Sequence, residues 1–145
     1  MFKHVLLPTD GSKLSETAVR RGVQFAKSIN ARVTGCSVVP ILHFFNYDSD
    51  MPTAIKEQAI QECKLQTERH LDFVRKTAKE AGVPCDTVCG TSDQPYDAIV
   101  KAAEEKGCDL IMMASHGRRG VSGLLIGSET QKVLTHSKIP ILVYR

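Results

Sequence analysis

No apolar run in these 145 residues approaches the roughly 20 needed to cross a bilayer, so no membrane partner is expected. The opening Met1-Phe2-Lys3-His4-Val5-Leu6-Leu7-Pro8 lacks the apolar core of a secretory signal and reads instead as a first strand. Five cysteines, Cys36, Cys63, Cys85, Cys89 and Cys108, are an odd number without disulfide-framework spacing. A reducing compartment is expected, and the cytoplasm in particular. Charge of one sign is scarce too. The net charge of +3 comes from Lys and Arg scattered along the chain, too mild and dispersed for a nucleic-acid footprint; it supports only a weak pull on anionic ligands. There is no GxxxxGK followed by Ser or Thr, and no GxGxxG opening a helix after the first strand. Neither a Walker-type NTPase nor an ordinary dinucleotide site is indicated.

What is present is the balance of a soluble globular protein, 42% hydrophobic and 24% charged. The length suits one domain over residues 1–145 with a core that needs neither disulfides nor metal. Val5 to Leu7 is a short apolar run stopped by the turn formers Pro8-Thr9-Asp10-Gly11-Ser12. Leu14, Ala18, Gly22, Phe25, Ala26 and Ile29 recur at helical spacing, and Asn30 closes that segment. Arg32 to Val39 reads as a second strand. A long helix follows Pro52, with Ile60, Cys63, Thr67, Leu71, Val74, Ala78 and Ala81 as its buried stripe. Its solvated face carries Glu62, Lys64, Glu68, Arg69, Lys76 and Lys79, and Gly82 stands just past its end. Val83 to Cys89 forms a third strand, and a third helix runs from about Pro95 to Lys106. Asp109 to Ala114 is a strand buried on both faces. A helix from Ser128 to His136 and a strand from Pro140 to Tyr144 complete an unbroken β-α alternation, which calls for a parallel sheet with helices on both faces. The class is α/β, a three-layer αβα arrangement.

Ligands of open α/β sheets bind beyond the carboxyl ends of strands, at the topological switch point. Two turns follow strand ends here: Pro8 to Ser12, and the stretch Ser115 to Ser128. In the second, Gly117, Gly120, Gly123 and Gly127 let backbone amides turn inward and approach a phosphate. Ser128 starts a helix with Gln131 three residues on, the spacing of a capping box. A helix N-terminus is an anion site, and Arg118 and Arg119 add charge nearby. From these residues alone, a phosphate turn and a plain connection are equally good readings.

Ala114, Gly117, nine intervening residues, Gly127 and Ser128 resemble the nucleotide signature of the universal stress protein family: Gly, two residues, Gly, nine residues, Gly, then Ser or Thr. Ala114 departs from it, adding a methyl that weakens binding if the position needs positive φ. The opening Val5 to Ser12 is similar to the family's first strand and loop, and Ile139 to Tyr144 to its last strand. The resemblance spans the chain. It implies a flavodoxin-like or adenine-nucleotide-hydrolase-like sheet of order 3-2-1-4-5 and an ATP site, with ADP or AMP as variants and Mg²⁺ accompanying the nucleotide. Asp10 would meet the adenine or ribose side, lined by Pro8 and Thr9. Val38 would meet adenine through its backbone, and Met113 and Ala114 would flank the ribose. His116, Gly117, Gly127, Ser128, Glu129 and Thr130 would surround the phosphates, with Glu129 either turned away or holding Mg²⁺. The resemblance also implies a homodimer through the last strand.

Each of these residues has a plainer role available. Asp10-Gly11-Ser12 is also a turn and helix cap, His116 also a brace for its loop, and Arg118 and Arg119 solvated loop charges. His4, His43, His70 and His136 show no metal spacing. Cys85 and Cys89 share a strand face, weak grounds for zinc or redox chemistry, and Met112 and Met113 read as strand core. No base suited to phosphoryl transfer is evident, and no lysine lies in the phosphate turn. The expected function is therefore a nucleotide-binding regulator in stress response or signalling, at most a slow ATPase and not otherwise an enzyme. The alternative is a homodimeric interaction module of the same family that binds no nucleotide.

Overall fold

A computed structural model describes residues 1–40, 51–117 and 125–145. Along them run β1 (His4–Pro8), α1 (Lys13–Ser28), β2 (Arg32–Val39), α2 (Thr53–Ala81), β3 (Cys85–Thr91), α3 (Pro95–Glu105), β4 (Leu110–Ala114), α4 (Ser128–His136) and β5 (Ile141–Tyr144). The strands form one parallel sheet in the order β3-β2-β1-β4-β5. That is the expected sheet.

The two strands that the sequence writes as short apolar runs, β1 and β4, lie near its centre and are buried along their whole length. Side chains alternate across the sheet. Val5 and Leu7 join Val19, Val23, Val33 and Val74 under α1 and α2, whereas Leu6 joins Ile99, Ala103, Ile111 and Val133 under α3 and α4. Helices on both faces explain why both strands are apolar apart from His4, whose ring lies 2.7 Å from Thr34 Oγ1. On β2, Gly35 lets α2 come close: a Cβ there would stand 2.9 Å from Val74 Cγ1.

The helix punctuation has physical counterparts. Ser12 caps α1, its side chain accepting from Ser15 N at 3.3 Å. Gly82 follows α2 with φ 73°, the left-handed conformation that closes a helix. Of the stripe expected on α2, Thr67, Leu71, Val74 and Ala78 are buried, while Ile60, Cys63 and Ala81 are half-buried. All six charged residues expected on its other face are exposed.

Strand boundaries required correction. The third strand runs from Cys85 to Thr91, not from Val83 to Cys89. Pro84 has no N–H to give the ladder, and its carbonyl only receives Val33 N at 2.9 Å. Pairing then runs from Val33 opposite Cys85 to Val39 opposite Thr91. Val83 belongs to the core beneath α2 instead. At the start of β4, Asp109 stays outside the strand because its carboxylate receives the N–H groups of Lys3 and His4 at 2.8 and 3.0 Å. Pro140 likewise precedes β5 and offers only its carbonyl, to Ile111 N at 2.9 Å.

Candidate functional site

The order of the sheet reverses between β1 and β4, so the loops after these strands part at the place where open parallel sheets take ligands. The two loops touch. A side chain on Gly117 would fall on the carboxylate of Asp10.

The β1 turn is built by its own hydroxyls and amides. Thr9 is buried; its N–H reaches Cys36 O at 2.8 Å, and its hydroxyl pairs with Ser15 Oγ at 3.1 Å and receives Gly11 N at 3.2 Å. Asp10 Oδ1 receives Ser12 N at 3.0 Å, the side-chain turn that Asp commonly makes. Gly11 has φ 76°, and the His70 ring of α2 occupies the place its side chain would take. His70 Nδ1 is 3.4 Å from Ser37 Oγ. Asp10 thus performs the turn role open to it. One carboxylate oxygen shapes the turn and the other faces the β4 loop. Pro8 and Thr9 are scaffold beneath that turn, and half-buried Val38 lies one strand over, near the end of β2.

Met113 and Ala114 end β4 as buried residues. Ala114 has ordinary strand backbone; among the described residues Asn30 is the one non-glycine with positive φ. The condition under which Ala at this position would weaken a site is therefore not met. Ser115, fully buried, ties the turn together. Its N–H reaches Tyr144 O at 2.7 Å, its carbonyl receives Gly127 N at 2.6 Å, and its hydroxyl lies 2.6 Å from His116 Nδ1. The two ends of the glycine-rich stretch are closed by that Gly127–Ser115 bond. A Cβ on Gly127 would sit 3.1 Å from Ser115 O and 3.2 Å from His116 Cα. Because Gly127 has φ −69°, glycine is needed there for room and not for rotation. Arg118, Arg119, Gly120 and Gly123 lie outside the described residues, as does His43.

The capping box expected at Ser128 does not form. The N-cap is Gly127, which has no side chain to accept a bond, and Ser128 is the first helical residue. Gln131 instead donates its side-chain amide to Ile126 O at 3.1 Å. The tight Gly127–Ser115 contact fixes where α4 begins and overrides the cap pattern. As a result the amides of Ser128, Glu129 and Thr130 have no acceptor within the helix, and they carry its positive dipole end. Thr130, buried, donates its hydroxyl to Ala114 O at 3.0 Å and pins this turn to β4. Glu129 is turned aside: Oε2 receives Tyr96 N of α3 at 3.0 Å and Oε1 receives Lys132 Nζ at 3.1 Å.

The structure therefore brings Asp10, Ala114, His116, Gly117, Gly127, Ser128 and Thr130 to one locus, whereas the Glu129 carboxylate is spent elsewhere. Sequence reasoning passed over Ser115, Tyr96 and the position of His70. For Ser115 the signal was a small polar residue directly after a buried strand. For Tyr96 and His70 there was none, since both arrive through tertiary packing. Four of the five thiols are shifted away from the thiolate form. Burial pushes the Cys36 thiol up to about 12 and Cys108 to about 11, and raises Cys85 and Cys89 as well. No group of three or more metal-ligating side chains occurs among the described residues, and none of their helices is long and apolar enough to cross a membrane.

A parallel sheet of this order, with helices on both faces and a tight glycine turn delivering a helix N-terminus to the switch point, defines an α/β protein of the flavodoxin-like type. The chain matches the universal stress protein family over residues 1–145 and belongs to it. It is 30% identical to universal stress protein MJ0531 of Methanocaldococcus jannaschii, over all of this chain and 83% of that one. The solved structure of MJ0577 from the same organism superposes with a TM-score of 0.85 at 25% identity, covering 99% of this chain and 95% of the other. A universal stress protein solved in complex with cAMP is also 25% identical, with a TM-score of 0.69 over 99% of this chain and 97% of that one.

Proposed function

We propose that residues 1–145 form one unit that binds an adenine nucleotide in the crevice between the β1 and β4 loops, and that occupancy regulates a stress response or signalling partner. The observation that carries this is the Gly127–Ser115 closure, which sets the N-terminus of α4 at the switch point with no side-chain cap among the described residues. Ser128, Glu129 and Thr130 offer amides to the phosphates, with Gly117 and His116 alongside. Asp10, backed by Pro8 and Thr9, and the backbone of Val38 receive the base and ribose, and Met113 and Ala114 line the ribose side. The cAMP complex of a relative supports an adenine ligand. ATP is the proposed ligand, with ADP or AMP as variants. Mg²⁺ comes with the nucleotide; the Glu129 carboxylate, already engaged, is not its ligand.

Binding and not turnover is the proposed role. Among the described residues we assign no base to activate water, and Asp10 belongs to the adenine end, so hydrolysis is slow if it occurs. A ligand at 100 times its Kd stabilises the fold by roughly 2.7 kcal/mol, enough to bias a conformational or assembly equilibrium. The test is thermal unfolding with ATP-Mg²⁺, together with mass spectrometry of nucleotide released on denaturing the purified protein. A raised midpoint or a recovered adenine nucleotide is expected. No shift at millimolar ATP and no recovered nucleotide would reject the proposal. The working compartment we propose is the cytoplasm.

A second reading rests on β5. It pairs with β4 on one side, and its four residues are only half-buried, an edge suited to pairing with its twin. We propose a homodimer through this strand, which would persist if the protein proves to be an interaction module without nucleotide. Sedimentation at twice the chain mass is expected, and a monomer at working concentration would refute it.

A further inference from the structure

The least expected contact at the site is the one made by Glu129, an acid in the first turn of the helix that faces the phosphates. α3 begins with Gln94, which makes no side-chain cap, and Pro95. The N–H of Tyr96 therefore needs an acceptor from elsewhere. It finds Glu129 Oε2 at 3.0 Å, 33 residues further along the chain. Lys132 occupies the other carboxylate oxygen at 3.1 Å and lies over the Tyr96 ring at 5.7 Å, while His136 stacks on that ring with centroids 4.8 Å apart. The start of α3 is thus fastened to α4 along its length. The same segment reaches the other end of the crevice. Ser92 N meets Val39 O at 3.2 Å, and a Cβ on Gly90 would lie 3.1 Å from Ala98 and 3.6 Å from Val38.

We propose that Glu129 is a positioning residue: capping α3 from α4, it fixes the angle at which α4 presents its amides to the phosphates relative to the base slot at Val38. The proposal rests on the crevice being the adenine-nucleotide site. It also accounts for an acid beside a polyanion, since both oxygens are held by donors and face away.

The experiment compares wild type, Glu129→Ala and Glu129→Gln by calorimetry with ATP and with adenosine, each with and without Mg²⁺, and measures amide exchange of Tyr96 in the free proteins. Glu129→Ala should weaken ATP about tenfold, the size of one charge-assisted hydrogen bond, and leave adenosine unchanged. Glu129→Gln can still accept from Tyr96 and should restore most of the affinity. Tyr96 should exchange faster in Glu129→Ala. Unchanged or tighter ATP binding, equal loss for adenosine, or loss of the Mg²⁺ dependence would each overturn the proposal, the last by making Glu129 a metal ligand. If Glu129→Ala does not fold, Glu129→Ser, too short to accept from Tyr96 N, takes its place in the same comparison. If wild type binds no nucleotide, the site reading fails by itself and Tyr96 exchange alone decides the clamp: faster in the variant supports it, unchanged refutes it.

Discussion

Replacing Gly127 with alanine sets opposing effects against each other with sizes that the geometry fixes. The φ of −69° and ψ of 158° suit alanine well, so the lost freedom of the unfolded chain favours the variant by about 0.4–1 kcal/mol. Against this, the new Cβ would stand 3.1 Å from Ser115 O and 3.2 Å from His116 Cα. Both are backbone atoms that cannot swing aside, and overpacking of this kind costs about 1–3 kcal/mol. Alanine is also a poorer N-cap than glycine. The net expectation is a destabilisation of about 1 kcal/mol, seen as a lowered urea midpoint at constant slope. Relief comes by widening the 2.6 Å Gly127–Ser115 bond, which shifts the N-terminus of α4. Nucleotide binding should therefore fall by more than stability does, roughly tenfold or beyond if one phosphate contact is lost. Calorimetry with ATP-Mg²⁺ alongside the urea titration separates the two effects. An alanine variant that is more stable than wild type and binds ATP equally well would refute the tight-turn argument.

Three further outcomes can be checked on the same footing. Gly35→Ala should cost about 1–3 kcal/mol in urea unfolding, because its Cβ would meet Val74 at 2.9 to 3.2 Å from β2. Thr130→Val keeps the shape but removes the hydroxyl bonded to Ala114 O; a loss of about 1–2 kcal/mol is expected, with Thr130→Ser much closer to wild type. His4 is held below its usual 6.5, first by burial and then by the Arg32 charge, while its ring bonds Thr34 Oγ1 at 2.7 Å. The unfolded chain then takes up the proton more readily, so stability is complete above pH 6.5 and declines as pH falls through the folded value. His4→Gln should flatten that slope between pH 7.5 and 5, and an unchanged slope would show that His4 does not set it.

Most of the fold was legible because its signals are local. The buried runs of β1 and β4, the stripe from Thr67 to Ala78 and the stop at Gly82 each follow from the chain's own periodicity and turn chemistry. The third strand was displaced because apolar Val83 looked like its start, whereas the missing N–H of Pro84 decides the register. At the site, the glycine spacing pointed to the stretch whose two ends, Ser115 and Gly127, the structure joins. The cap failed because Ser128 with Gln131 fits the pattern of a capping box, yet the close pass of Gly127 over Ser115 fixes the helix start one residue earlier. The direction of Glu129 was not legible at all. It depends on where α3 begins, and nothing near residue 129 in the sequence reports that.

The two walls of the crevice come from opposite ends of the chain: β1 is locked to the start of β4 by contacts such as Lys3 to Asp109, 106 residues apart. At synthesis rates of roughly 5–20 residues per second, the first wall waits on the order of 5–20 s for the second to leave the ribosome. If the crevice is the proposed nucleotide site, a ligand meets both walls only after the start of α4 has emerged. Its capture is then a late step in the folding of this domain and no aid to the early chain.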